Sequence, residues 1–397
     1  MRFALMSACL LSSMCVAGDW PQFRGPNASG VAADSVVPAK FGPTENVRWK
    51  VDVVGRSVAS PVVVDGRIYV TSASGVRGDR LHVLCYALAD GKLLWERRMT
   101  ATGNTGCHPK SSMAAPTAVA DKDGVYALFA TGDLAAFTPD GTLKWYRSLV
   151  GDYPKIGNQV GMASSPVLFK NTLIVPMDNQ GESFLAGIDT QYGRNTWKVD
   201  RPREVNWVSP TLRATGDKAE VLFSSRTDLS SYDAVTGQKL WSYPTGSGGI
   251  PTPILMGEKI LLPGSPLVCL KIVDGRPVEE WKSPKLSSGS NSPVIRGDRI
   301  YNINGAGVLI CADASTGKDL WQERLKGKFW ASPVIAGTVL FASNDTGSVF
   351  SVELGEKGRI LATNDLGEEI MGTPAISGNN LVILTDKHLW CIAETKK

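Results

Sequence analysis

A short signature recurs eight times along the chain and leaves few folds open to it. A small residue followed by proline stands at Ser60-Pro61, Ala115-Pro116, Ser165-Pro166, Ser209-Pro210, Thr252-Pro253, Ser292-Pro293, Ser332-Pro333 and Thr373-Pro374, at intervals of 40 to 55 residues. A sustained period of that length marks a repeat architecture, in which each unit buries its faces against its neighbours. The sixth copy shows the unit most clearly. Pro293–Ile295, Arg299–Ile303, Val308–Asp313 and Lys318–Arg324 read as strands, separated by turns at Gly297-Asp298, Gly305–Gly307 and Ala314–Gly317. Glycine supplies the positive φ that tight hairpins need. Four short antiparallel strands per forty-odd residues, with no helical period, predict a β-propeller blade.

The fourth strand carries a tryptophan in most units, at Trp49, Trp95, Trp145, Trp197, Trp241, Trp281 and Trp321, which accounts for seven of the eleven in the chain. One indole per unit predicts packing between blades, with each N–H on a backbone acceptor. The eighth place, near Ile360-Leu361, has lost its tryptophan. The strand around Trp49 has no unit of its own, and the last unit (Pro374–Ser377, Leu381–Thr385, His388–Ala393) lacks an outer strand. Residues 47–53 are therefore expected to complete the last blade and remove the free edges. The expectation is an all-β, eight-bladed propeller of four antiparallel strands per blade, one domain over residues 47–397. His82 and His388 fall at the same place in their units, three residues before Cys85 and Cys391, which reads as repeat ancestry and not as a metal site.

The amino terminus reads as a cleaved secretory signal over residues 1–18, a basic start, an apolar run of about 15 residues and a small-residue cleavage site, too short to span a membrane. The protein is expected to be periplasmic or secreted, without a lipid anchor. A net charge of +4 with no basic run excludes nucleic acid as an obvious partner. Five cysteines remain after the signal; Cys85, Cys269, Cys311 and Cys391 sit in apolar runs, and Cys107 does not. Residues 19–46 form an arm, expected to pack Trp20 and Phe23 against the side of the propeller or to serve as a partner-binding tail.

The approach to the fourth strand reads Asp-x-x-Thr-Gly-x-x-x-Trp at Asp233–Trp241 and Asp313–Trp321, with a divergent copy at Asp189–Trp197. This resembles the tryptophan-docking repeat of the pyrrolo-quinoline quinone-type (PQQ-like) propellers, the superfamily of the quinoprotein alcohol dehydrogenases and of the outer-membrane assembly factor BamB. The opening Asp19–Asn27 resembles the start of exported bacterial members of that superfamily. The dehydrogenases hold pyrrolo-quinoline quinone over the propeller axis with a vicinal disulfide, a calcium ion and a catalytic aspartate. No adjacent cysteines and no haem signature occur here, and no calcium ligand or catalytic base can be carried over. No hydrolase motif is present either.

Function is therefore sought on the loops that enter the inner strands. Two are long, about residues 99–114 and 148–164, and loops on a rigid scaffold commonly carry binding. Candidate ligand contacts are Arg56, Asn104, His108, Lys110, Asn158, Gln159, Arg203, Asn206, Trp207, Trp330, Glu368 and Glu369. Their mixed polar and aromatic chemistry suits a protein or polymeric ligand. The expected function is an exported, monomeric, non-catalytic scaffold without a cofactor. The alternatives are a dehydrogenase using pyrrolo-quinoline quinone with calcium, and a BamB-like assembly role.

Overall fold

The computed structural model describes residues 18–157 and 160–395. The expected signal therefore lies, apart from Gly18, outside the described residues, as do Asn158 and Gln159. Eight sheets, each built on four antiparallel strands, follow one another around an axis, and in all but blade 4 (Thr211–Tyr243) the inner strand is shorter than the outer one. Blade 1 comprises Val62–Val64, Arg67–Ser74, Arg80–Ala87 and Leu93–Thr100. Blade 8 comprises Ala375–Ser377, Asn380–Leu384 and His388–Ile392, and Val47–Asp52 supplies its outer strand, with Trp49 opposite Cys391. First and last segments are thereby locked together, as the repeat register requires.

Burial within a blade follows the pleat and the radius. The two middle strands are buried on both faces, as in Ile68–Ala73 and Leu81–Tyr86, while outer strands alternate around a buried tryptophan. Five of the seven indole N–H groups donate to a carbonyl of the next blade, as in Trp49 Nε1 to Leu88 O (2.9 Å) and Trp145 Nε1 to Thr190 O (3.0 Å). Each of these contacts is tightened by a glycine. A Cβ on Gly141 would stand 2.7 Å from the Trp95 ring, and its φ of +85° already disfavours a side chain. Two indoles depart from the expectation. Trp241 donates to the Glu220 carboxylate (3.3 Å), because blade 5 joins its third and fourth strands by a tight Asp274-Gly275 turn, and Trp281 Nε1 has no partner among the described residues.

Register corrects the eighth tryptophan place to Ala362, opposite Ser351, just after a bulge at the same point of the pair as in blade 1. Its role is taken by Phe41 from the arm. In blades 1, 2 and 6 an aromatic residue of the second strand touches the tryptophan, as in Tyr69–Trp95 with centroids 6.0 Å apart. Phe341 holds that place in blade 7, and Phe41 stands 6.4 Å from it, buried.

Trp20 and Phe23 do not pack against the side of the propeller, which only the end of the arm reaches, where Phe41 N donates to Asn364 on the outer strand of blade 7. The first part of the arm crosses the axis beneath the inner strands. Trp20 exchanges backbone hydrogen bonds with Val63 in blade 1, and Pro21 O accepts from Ala120 N in blade 2. Arg24 Nη2 then donates to Pro293 O in blade 6 (2.6 Å), and Val31–Ala32 pairs in parallel with Val334–Ala336 of blade 7. Trp20 and Arg24 are fully buried, and burial pushes the Arg24 guanidinium down to about 9. This route closes one end of the channel.

Candidate functional site

At the other end of the channel the chain enters each inner strand through a small hydroxyl residue: Ser60, Thr117, Ser165, Ser209, Thr252, Ser292, Ser332 and Thr373. The backbone N–H of each donates to the hydroxyl oxygen of the next, from Ser60 N to Thr117 Oγ1 (3.0 Å) round to Ser332 N to Thr373 Oγ1 (2.9 Å). Seven links of this ring are made. At the eighth, Ser60 Oγ has no partner among the described residues. The ring shows that the sequence signature is misplaced in its second copy: the equivalent of Ser60 is Thr117, two residues beyond Ala115, and Ala118 stands where the other units have proline. The hydroxyl carries the repeat here. A backbone N–H at the end of a strand needs an acceptor, and the neighbouring blade supplies it.

Above this ring lies a cup of about 260 Å³ on the long-loop face. Its floor is hydroxyl oxygens with the Phe23 ring, brought up from the arm, and its wall is Val58, Ala115, Val160, Ala163, Ile250 and Met371. Trp207 and Trp330 line it from two different blade-to-blade loops, and the first long loop contributes His108 and Lys110. The lining includes no carboxylate among the described residues.

Four of the sequence-derived candidates, His108, Lys110, Trp207 and Trp330, thus meet in one cavity. His108 is exposed, and its Nδ1 accepts the Lys110 backbone N–H (3.1 Å), which leaves Nε2 carrying the proton and offered as a donor. Lys110 Nζ bonds Glu369 (2.6 Å) with Asp345 at 3.6 Å, and the hydrogen bond to Glu369 holds its ammonium above the usual lysine range. Arg56 completes this rim cluster by pairing with Glu369 (3.2 Å). Trp207 is fixed by its indole N–H on Gly161 O (2.8 Å).

The remaining candidates stand apart. Asn206 is buried below Trp207, donating to Asp178 and to Ser224 O, within a network in which Arg201 and Asp178 pair with both side chains almost completely buried. It therefore shapes the loop from beneath. Asn104 caps its own turn through Gly106 N, and Arg203 is exposed outside the cup. Glu368 lies between blades 7 and 8, where it accepts hydrogen bonds from Thr385, His388, Lys50 and Trp390. Burial alone would raise its pKa, but these bonds outweigh it and hold the carboxyl at about 2. Cys107 is half-buried, and burial pushes its thiol up, which disfavours the reactive thiolate. Sequence reasoning missed Phe23 and Met371, whose neighbours in the chain give no hint that they reach the axis.

Eight blades, tryptophan docking and an axial cup define a propeller of the PQQ-like class. A family model described as outer membrane protein assembly factor BamB matches residues 41–175, 155–323 and 278–359, and the chain belongs to that family. BamB of Burkholderia pseudomallei is 25% identical over 352 residues, covering 83% of this chain and 82% of that protein. The crystal structure of BamB from Moraxella catarrhalis superposes with a TM-score of 0.65 at 15% identity, over 88% of this chain and 97% of that one. The quinohemoprotein alcohol dehydrogenase of Comamonas testosteroni gives 0.73 at 13% identity, over 97% and 82%. The last two likenesses are of fold.

Proposed function

We propose that this chain is an exported scaffold that holds an extended segment of a partner protein across its long-loop face, with one apolar side chain seated in the axial cup. The observation that supports this is the cup itself. Its apolar wall, hydroxyl floor and two tryptophans suit a single anchoring side chain, and its volume falls just under the roughly 300–1,000 Å³ of small-molecule sites. A quinone with calcium fits it poorly. The described lining offers no carboxylate to a cation, and Lys110 is already engaged with Glu369 and Asp345. Membership of a family described as an outer membrane assembly factor supports an envelope protein as the partner and the periplasm as the location. No helix among the described residues is long and apolar enough to cross a membrane.

The test is binding of an immobilised peptide library with systematically varied apolar residues. Peptides with a single large apolar anchor should bind, and Trp330→Ala should weaken them at least about ten-fold, as expected of a buried aromatic contact, while the thermal transition stays within a few degrees. Binding unaffected by Trp330→Ala would overturn the reading, and so would dye-linked oxidation of alcohols by protein loaded with pyrrolo-quinoline quinone and calcium.

A further inference from the structure

Blade 1 carries a second constellation, away from the cup and built from three of its strands. Ser74 Oγ lies 2.7 Å from His82 Nε2, and His82 Nδ1 lies 2.7 Å from Glu96 Oε1. Strand register makes the line: His82 stands opposite Ser72 on one side and Arg98 on the other, so Ser74 and Glu96 are its diagonal neighbours on the same face. A carboxylate on Nδ1 fixes the tautomer with the proton on that nitrogen and turns the Nε2 lone pair toward the serine hydroxyl. Those are the roles of nucleophile, base and orienting acid, which are recognised by geometry and not by order in the chain.

The surroundings suit the chemistry. The imidazole is buried at 2% exposure, shielded from competing water, whereas Ser74 is half-buried at the blade's rim. Two glycines at positive φ flank it, Gly55 (+74°) and Gly75 (+89°), both exposed. A Cβ on Gly55 would stand 3.0 Å from that of Ser74, so the backbone there passes directly beside the nucleophile. Neither the Gly55 nor the Gly75 amide has an acceptor among the described residues. Val54 and Val76 are exposed on either side and offer an apolar bed for a short acyl chain.

We propose that Ser74, His82 and Glu96 form an acyl-transfer site that hydrolyses esters of small acyl groups. Ser74 Oγ attacks the ester carbonyl as His82 Nε2 takes the hydroxyl proton, Glu96 holds the imidazolium, and the unpaired Gly55 and Gly75 amides are assigned as donors to the oxyanion. Collapse breaks the ester C–O bond, and His82 returns the proton to the departing alcohol. Water then attacks the acyl-serine, giving one proton to His82, and that proton goes back to Ser74 as the free acid leaves. The site is independent of the cup and of what binds there.

The test uses the full chain with a fluorophosphonate probe and p-nitrophenyl acetate. The expected result is a covalent adduct located by mass spectrometry on the peptide bearing Ser74, and ester turnover that falls at least about 100-fold in Ser74→Ala, the size expected when a positioned proton acceptor loses its nucleophile. Ser74→Ala is a small change at a half-buried site, and an unchanged thermal transition reports its folding. Glu96→Gln should slow adduct formation at least about ten-fold, and Glu96→Asp should recover part of the rate, which a structural role alone would not produce. Absence of an adduct on Ser74 in folded wild-type protein overturns the proposal, as does turnover that survives Ser74→Ala. Loss of peptide binding in the cup leaves both readouts where they are.

Discussion

His82 in blade 1 and His388 in blade 8 stand at the same repeat position, three residues before a cysteine that lies opposite a docking tryptophan. Their neighbours differ in one informative way. The outer-strand residue beside the tryptophan is Glu96 in blade 1 and Lys50 in blade 8. His82 can therefore hold a carboxylate from its own blade and turn its other nitrogen to Ser74, whereas His388 must borrow Glu368 from the loop between blades, with Asp52 3.0 Å from its second nitrogen. One arrangement leaves an acidic–basic–hydroxyl line with an exposed end. The other ties the first strand of the propeller to the last. A repeat conserves the position of a side chain in space, and the residue one strand away decides what that side chain does.

The largest expected effect lies on the blade 8 side. Glu368→Ala removes the common acceptor of Thr385, His388, Lys50 and Trp390 at a nearly buried site. Leaving several donors without a partner should cost about 2–3 kcal/mol, read as a shift in the urea midpoint with an unchanged slope. An effect under about 0.5 kcal/mol would mean that the closing strand is held by its ladder alone.

The same carboxylate gives the closure a pH dependence of fixed sign. A group whose pKa is lowered by folding stabilises the native state above its unfolded value and loses that contribution as it is protonated. For Glu368 the ordinary value is 4.5 and the folded one about 2, so the stabilisation should fade between about pH 5 and pH 2. Melting temperatures should therefore drop less steeply from pH 6 to pH 3 in Glu368→Gln than in the wild type. Parallel curves would break the assignment.

How much of this was legible in the chain follows from which interactions recur. Gly141 against Trp95 and the Asp313 turn, where the carboxylate accepts from Ser315 and Thr316, have counterparts in most blades, and recurrence is what a sequence displays. The closing strand was legible for the same reason, as an outer strand without a unit. Interactions that occur once were not. Phe23 reaches the cup and Phe41 replaces the missing tryptophan because the arm crosses the axis, a path that no period encodes. Thr117 was misread because the proline beside Ala115 mimicked the repeat, while the hydroxyl that makes the ring lay two residues on. His108, Lys110, Trp207 and Trp330 converge from loops far apart in sequence, and only the closed ring brings them together. The Ser74–His82–Glu96 line depends on diagonal neighbours across three strands, so no contiguous motif announces it.

The smallest expected effect sharpens the comparison most. If blade 1's line serves chemistry and blade 8's serves closure, their hydrogen bonds should differ in their contribution to stability, although both histidines have their partners within 3.0 Å. Ser74 and Glu96 each offer His82 one bond, and the Glu96 side chain is 37% exposed against 9% for Glu368. Water can replace the exposed carboxylate, so Glu96→Gln should cost no more than about 0.5–1 kcal/mol, and Ser74→Ala no more, within the net worth of a single hydrogen bond. Urea denaturation of these variants beside Glu368→Ala gives the ranking directly. A Ser74 or Glu96 substitution that destabilised as much as Glu368→Ala would place the blade 1 histidine in the scaffold with its blade 8 counterpart, because a line held together for catalysis is not also what holds the ring closed.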